Sequence, residues 1–178
     1  PFHDPQAMSG TVVMREGSLQ IRAADADCMA WSEPVIIHNH PLQSTVELDY
    51  SLDGLATQVT LRRGERLIRF RTTFVPKGKK YRLRVAFPTT ILDGRIRHSV
   101  PCGHIRRPQG EYAAQGWIDY ADTGKGLLLL NRGLPGNNVT GGVMMLSLFR
   151  GVSLEAAEER PWYEDGIEHV FEYALMPF

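Results

Sequence analysis

The sequence lacks the features that mark several large classes of protein. It has only two cysteines, Cys28 and Cys102, and no Cys-x-x-Cys pair, which excludes a zinc ribbon. No segment approaches the ~20 consecutive apolar residues that a membrane helix needs. The 20 basic and 20 acidic side chains cancel, so the basic surplus expected for a nucleic-acid or anionic-membrane partner is missing. We expect no such partner, and two separate buried thiols rather than a disulfide.

The 178 residues are enough for one domain. The chain opens on Pro1 without an initiator methionine or a signal peptide, and it stops at Phe178 just as an apolar alternation ends. We therefore expect a single domain, residues 1–178, that is a fragment of a longer protein and leaves part of the chemistry elsewhere.

The sequence also has no motif of a common enzyme class: no Gly-x-Ser-x-Gly, no phosphate loop and no Gly-x-Gly-x-x-Gly. Carboxylates do occur in pairs, Asp119 with Asp122 and Glu164 with Asp165. A glycosidase needs two carboxylates that flank its bond, but these pairs lie at turns, where acidic residues are common for backbone reasons. We expect no complete catalytic pair in this chain.

The segment 117–150 organises the chain. Residues 127–130 and 143–149 are apolar at successive positions and are bounded by Gly, Asn and Pro. Short apolar runs of this kind are typical of strands covered on both faces, and the many glycines leave little room for a helix. We predict that they are central strands of a β core.

Alternating apolar and polar residues predict most of the other strands. Residues 46–52, 59–62, 68–74 and 81–87 are predicted to form a four-stranded antiparallel meander, with a hairpin turn at Asp53-Gly54. Further strands are predicted at 11–14, 19–22, 91–100 and 170–175, one short helix at 153–160, and irregular structure at 23–43 and 101–116. The fold class predicted is all-β, a large antiparallel β-sandwich of ten to twelve strands.

Two groups of histidines are candidate metal sites. We expect that neither group binds a metal. His98, Cys102 and His104 are close in sequence, but their spacing matches no standard zinc arrangement. His38 and His40 would share one side of an extended segment without a third ligand.

Three tryptophans offer flat apolar faces on which a sugar ring can stack. Trp117 lies beside a predicted central strand and is expected to pack in the core. Trp162 lies in a polar loop, so we predict that it is exposed and name it as the sugar-stacking candidate; Trp31 is a further candidate.

The order of four sequence pieces resembles the C-terminal β domain of glycoside hydrolase family 38, the α-mannosidases. The resemblance runs from about Val46 to Pro177. The pieces are YRLRVAFP (81–88), GHIRRP (103–108), QGWIDYAD with GLLLLN (115–122 and 126–131), and LSLFR with GIEHVFEYALMP (146–150 and 166–177).

The resemblance implies a mutarotase-like supersandwich fold and a parent enzyme that hydrolyses α-mannosidic bonds with retention, through an aspartate nucleophile and a bound zinc ion. Those groups belong to an N-terminal catalytic barrel that precedes residue 1. No catalytic or metal-binding residue is therefore assigned here, and this chain by itself needs no cofactor. The partners implied are the catalytic domain of the same chain and a mannose-containing glycan. The resemblance also implies an apolar surface patch where that catalytic domain packs.

Arg150 is the one residue with a role that the resemblance suggests. It ends a strand that points towards the catalytic domain in the family, where it either lines the sugar pocket or forms an inter-domain salt bridge.

Two other functions are open at this stage. An independent carbohydrate-binding module would use exposed aromatic residues. A sugar epimerase of the mutarotase type would need a histidine acid and a glutamate base in one cleft, for which His98 or His104 with Glu111 are the candidates.

Overall fold

All regular structure in the described part of the chain is β-strand. The computed structural model describes residues 10–15, 18–23, 33–52, 54–77, 82–151 and 166–178. Within these segments no helix is long and apolar enough to cross a membrane. The fifteen strands are β1 (Gly10–Arg15), β2 (Ser18–Ala23), β3 (Val35–His40), β4 (Gln43–Asp49), β5 (Leu55–Arg62), β6 (Ile68–Phe74), β7 (Arg82–Pro88), β8 (Arg95–Val100), β9 (Gly103–Arg106), β10 (Gly110–Ala113), β11 (Trp117–Ala121), β12 (Gly126–Leu130), β13 (Gly136–Thr140), β14 (Val143–Arg150) and β15 (His169–Pro177).

The strands form two sheets that pack face to face. One sheet has six strands in the order β10-β13-β14-β7-β1-β2, and the other has nine in the order β3-β4-β5-β6-β15-β12-β11-β8-β9. Neighbouring strands are antiparallel except β1 and β7, which pair in parallel. The predicted antiparallel β-sandwich is confirmed.

The buried core lies between the inner faces of the two sheets. Phe70 and Tyr173 of the larger sheet stack with their ring centroids 5.1 Å apart, and Phe87 of the smaller sheet lies 5.6 Å from Phe70. Met144 and Leu146 of β14 are fully buried on the same inner face. The two predicted central strands, β12 and β14, lie inside their sheets as expected, although each belongs to a different sheet. Their predicted burial on both faces is wrong, because the outward side chains of each are only partly buried or exposed.

The predicted four-stranded meander is wrong in its last member. Strands β4, β5 and β6 are neighbours, and Gly54 has the positive φ of 77° that the predicted turn requires. However, β7 crosses to the six-stranded sheet, where it pairs with β14 and β1. The free edge of β6 pairs instead with β15, almost 100 residues further along the chain. A local turn signal does not indicate which distant strand will compete for an edge.

Some segments predicted to be irregular also form strands. Residues 35–40 form β3, and the segment 101–116 contains β9 and β10. The Gly- and Asn-rich break after β12 contains β13, and the strand predicted from residue 91 begins only at Arg95. These strands are four to six residues long, too short for an alternation of apolar residues to reveal them. The predicted helix at 153–160 lies outside the described residues.

Candidate functional site

A depression on the outer face of the nine-stranded sheet brings aromatic, apolar and charged side chains together. It has a volume of about 330 Å³. It lies over β8, β11, β12 and β15, and its lining residues are Arg97, Trp117, Asp119, Leu128, Met176 and Phe178. The alternation along β11 explains the composition, because Ile118 and Tyr120 point into the core while Trp117 and Asp119 take the opposite face.

An ion pair forms the polar part of this depression. Arg97 and Asp119 are directly opposite each other on β8 and β11. The Arg97 Nε atom donates to both carboxylate oxygens of Asp119, at 3.1 and 2.9 Å, and its Nη2 atom also donates to Oδ2. The hydrogen bonds to Asp119 raise the pKa of Arg97. The Asp119 side chain is only 3% exposed and that of Arg97 is 30% exposed, so the guanidinium covers the carboxylate.

Trp117 is therefore not the core residue that the sequence predicted. It is half-buried and lines the depression, with its ring centroid 6.2 Å from that of His104. Its sequence position, two residues before Asp119 on the face opposite Ile118, was the signal that could have placed it on the outer face. The preferred stacking candidate, Trp162, lies outside the described residues, as does Trp31, so the prediction for each remains a prediction.

Arginines cluster on the outer face of the other sheet. Arg82 and Arg84 of β7 donate to Oε1 and Oε2 of Glu111 at 2.5 and 2.6 Å. Strands β13 and β14 separate β7 from β10, so both arginines reach across two strands. Arg150 is opposite Arg82 on β14, is exposed, and has no ion-pair partner among the described residues. Its side chain is therefore available to a group outside this part of the chain.

The first candidate carboxylate pair does not converge on one point. Asp119 is held by Arg97 in the outer-face depression. Asp122 is exposed in the β11–β12 turn, where its Oδ1 atom accepts from the backbone N–H groups of Gly124 and Lys125. The Gly124 hydrogen bond lowers the pKa of Asp122, which is the opposite of what a general acid requires. Glu164 and Asp165 lie outside the described residues.

The histidines and the cysteine near the β8–β9 turn face different surroundings. His98 is fully buried on the inner face, with its ring 5.7 Å from the Tyr112 ring. Cys102 and His104 are exposed, and His104 is opposite Ser99, the neighbour of His98 on the other face of β8. Cys102 is a free thiol, but it is exposed, so its predicted burial is wrong; Cys28 lies outside the described residues.

No group of three potential metal ligands forms within the described residues. His38 and His40 do share one side of β3, with ring centroids 6.3 Å apart, but both are exposed at the sheet edge. The epimerase constellation does not form either. His98 is in the core, His104 is on the nine-stranded sheet, and Glu111 is on the outer face of the six-stranded sheet with its arginine partners.

Burial of His98 predicts a pH-dependent stability. Neither ring nitrogen has a hydrogen-bond partner within the described part of the chain, and desolvation lowers the pKa, with a further contribution from Arg107 that Asp119 partly opposes. The unfolded chain therefore takes up this proton near pH ~6.5, whereas the folded chain takes it up only at a lower pH. We expect the urea midpoint to fall between pH 7.5 and 5.5. His98→Leu should remove much of that decrease, whereas His104→Asn, at an exposed residue, should retain it. An equal fall of the urea midpoint with pH in the original protein and in both variants would contradict the prediction.

The architecture and the family matches together identify the class of protein. Two antiparallel sheets with a shared apolar core define a β-sandwich domain. The sequence model of the family described as "Glycosyl hydrolases family 38 C-terminal domain" matches residues 2–158, which is most of the chain. The chain belongs to this family. The match also begins well before Val46, where the resemblance in the sequence pieces starts.

Similar proteins extend far beyond this domain. Alpha-mannosidase 2C1 from Homo sapiens and from Mus musculus are 31% and 32% identical to the chain over 133 residues, which is 69% of this chain. The chain spans 12% of the length of these curated relatives.

Solved structures share the fold. A protein in the glycosyl hydrolase family 38 from Enterococcus faecalis superimposes with a TM-score of 0.69 at 20% identity, covering 84% of this chain and 23% of that chain. An alpha-mannosidase from Enterococcus faecalis V583 gives a TM-score of 0.68 at 19% identity, covering 84% and 22%. At this identity the similarity concerns the fold.

Proposed function

We propose that this chain is the non-catalytic C-terminal β domain of an α-mannosidase and that it supports a catalytic domain in the same polypeptide. The observation that carries the proposal is the family match over residues 2–158, together with relatives named alpha-mannosidase of which the chain spans 12%. The substrate of the whole protein would be a mannose-containing glycan.

The geometry of the carboxylates supports a non-catalytic role. Asp119 is covered by Arg97, Glu111 is paired with Arg82 and Arg84, and Asp122 is held in a turn. A retaining glycosidase needs two carboxyl groups about 5–5.5 Å apart, one of them free to attack the sugar. The carboxylates named here are committed to structural partners on separate surfaces.

The retaining mechanism and the zinc ion are proposed for the catalytic domain. We assign the ion to the catalytic domain because the family resemblance implies it there. When bound there, zinc would polarise or orient oxygen atoms of the substrate. This chain contributes no step to that chemistry.

An apolar edge of the nine-stranded sheet is the proposed contact with the rest of the protein. Strand β3 contributes nothing to the buried core, and all six of its residues are exposed. Val35, Ile36 and Ile37 begin this strand. Leu42 lies in the β3–β4 turn and Leu61 is opposite Ser44, towards the other end of the strand. All five side chains are exposed by about half or more. An exposed apolar edge strand invites pairing or packing with another segment. We propose that the remaining chain covers this edge patch, and that Arg150 contacts either that chain or sugar hydroxyls.

Aryl-α-mannoside hydrolysis by the full-length protein tests the proposal. We expect activity that a zinc chelator abolishes and that added zinc restores, and no activity from residues 1–178 alone. NMR of the first product formed should show the α-anomer, because the reaction retains configuration.

Each failure points to a different part of the proposal. No hydrolysis of any α-mannoside would reject the α-mannosidase function. Activity that survives the chelator would reject the zinc ion, and hydrolysis by the isolated chain would reject the non-catalytic role.

A further inference from the structure

The outer-face depression combines the surfaces that a sugar ring needs. Its volume of about 330 Å³ is at the lower end of the range of small-molecule sites. Trp117 and Phe178 supply aromatic surface, and Leu128 and Met176 add apolar surface between them. One face of a hexose ring carries mainly C–H groups, which pack on aromatic rings, whereas its rim carries hydroxyl groups that need polar partners.

Arg97 supplies those polar partners in a fixed position. Its Nε and one Nη group are used by Asp119, and its other Nη group makes no hydrogen bond within the described residues. The bidentate pairing holds the guanidinium plane still, so little side-chain entropy is lost when a ligand hydroxyl accepts from the remaining N–H groups.

Charge in the depression favours an uncharged ligand. Arg97 and Asp119 cancel each other, and no other lining residue is ionisable. The ion pair carries no net charge, so the depression offers no net Coulomb attraction to a charged ligand.

We propose that this depression binds one neutral hexose unit of a glycan, stacked on Trp117 and hydrogen-bonded by Arg97. The expectation that the hexose is a mannosyl unit rests on the proposed function. The site lies on the outer face of the nine-stranded sheet, where β8, β11, β12 and β15 bring the lining residues together.

Fluorine NMR of the full-length protein labelled with 5-fluorotryptophan tests the site directly. The Trp117 resonance is assigned as the one missing from Trp117→Phe. We expect it to shift on titration with a neutral manno-oligosaccharide, and to shift much less with a glucuronate- or glucosamine-containing oligosaccharide of equal length. A Trp117 resonance that stays fixed through millimolar neutral ligand would overturn the proposal.

Affinity measurements on variants of the full-length protein give a second readout. The affinity for mannan is measured by retardation in native gels that contain it. We expect this affinity to fall about tenfold for Trp117→Ala, because an aromatic contact is lost, and to be largely kept by Trp117→Phe. Phe178→Ala, at a residue 45% exposed, should also weaken binding without unfolding the sheet. The matched control is Leu92→Ala, at a residue 73% exposed that does not line the depression.

The remaining outcomes separate this inference from the proposed function. Equal retardation of Trp117→Ala and Leu92→Ala would overturn the hexose site, even if the protein hydrolyses aryl α-mannosides. A Trp117 resonance that shows no solvent-isotope shift would mean that another part of the protein covers the depression. That result would also overturn the proposed hexose site. A shifting resonance in a protein without α-mannosidase activity would keep the hexose site and reject the enzyme.

Discussion

Replacing Arg97 with alanine is expected to lower the free energy of unfolding by about 3 kcal/mol. The substitution leaves the Asp119 carboxylate, 3% exposed, without its only hydrogen-bonding partner among the described residues. Breaking a buried pair costs about 3–5 kcal/mol because an uncompensated charge remains. We expect the lower end, since Arg97 is itself 30% exposed and water can reach the site. Urea titration followed by tryptophan fluorescence measures the change.

A double variant distinguishes the stability lost when the Arg97–Asp119 pair is broken from the net contribution of the pair to the free energy of unfolding. Arg97→Met combined with Asp119→Leu removes both charges and is expected to recover most of the loss, because apolar replacements avoid the desolvation penalty. Arg69→Ala is the matched control: its partner Glu65 is 35% exposed and Arg69 is 40% exposed, so the cost should be below about 1 kcal/mol. Similar losses for Arg97→Ala and Arg69→Ala would contradict the interpretation.

Introducing a charge into the apolar edge patch is expected to destabilise the full-length protein strongly. Ile36 is 65% exposed in this chain, so Ile36→Asp should barely change a chain whose β3 edge faces water. If the remaining polypeptide covers that edge, the aspartate is buried at an interface without a partner. Burying a polar group without a partner lowers the free energy of unfolding by about 2–7 kcal/mol. We expect a lower thermal midpoint, faster limited proteolysis and a proportional loss of α-mannosidase activity.

The opposite edge of the same sheet provides the control for this prediction. Ile105 lies on β9, is 44% exposed, and has polar neighbours, His104 and Arg106. Ile105→Asp changes the same side-chain chemistry on an edge strand outside the apolar patch, so it should have little effect. If Ile36→Asp is equally silent in the full-length protein, β3 does not contact the rest of the chain.

Alternation in the sequence was enough to identify the strands with strong patterns and the class of fold. Strands β4, β5, β6 and β15 were predicted because one face of each buries large side chains against a core, and that requirement shapes the sequence at every second residue. Strands β12 and β14 were predicted from short apolar runs bounded by turn residues. The turn at Gly54 was predicted because few other residues adopt a positive φ. The family resemblance lay in the order of the pieces that form β7, β9, β11, β12, β14 and β15.

Only the tertiary structure decided which strands far apart in the chain are neighbours and which of their side chains meet. The pairing of β6 with β15 rather than β7 depends on competition between edges far apart in the chain, which no local pattern encodes. The same applies to the outer-face depression: Arg97 and Asp119 are 22 residues apart, and Met176 approaches them only because β15 pairs with β12. The amino-acid sequence determined which residues each strand turns outward, and the packing of distant strands determined that these residues form one site.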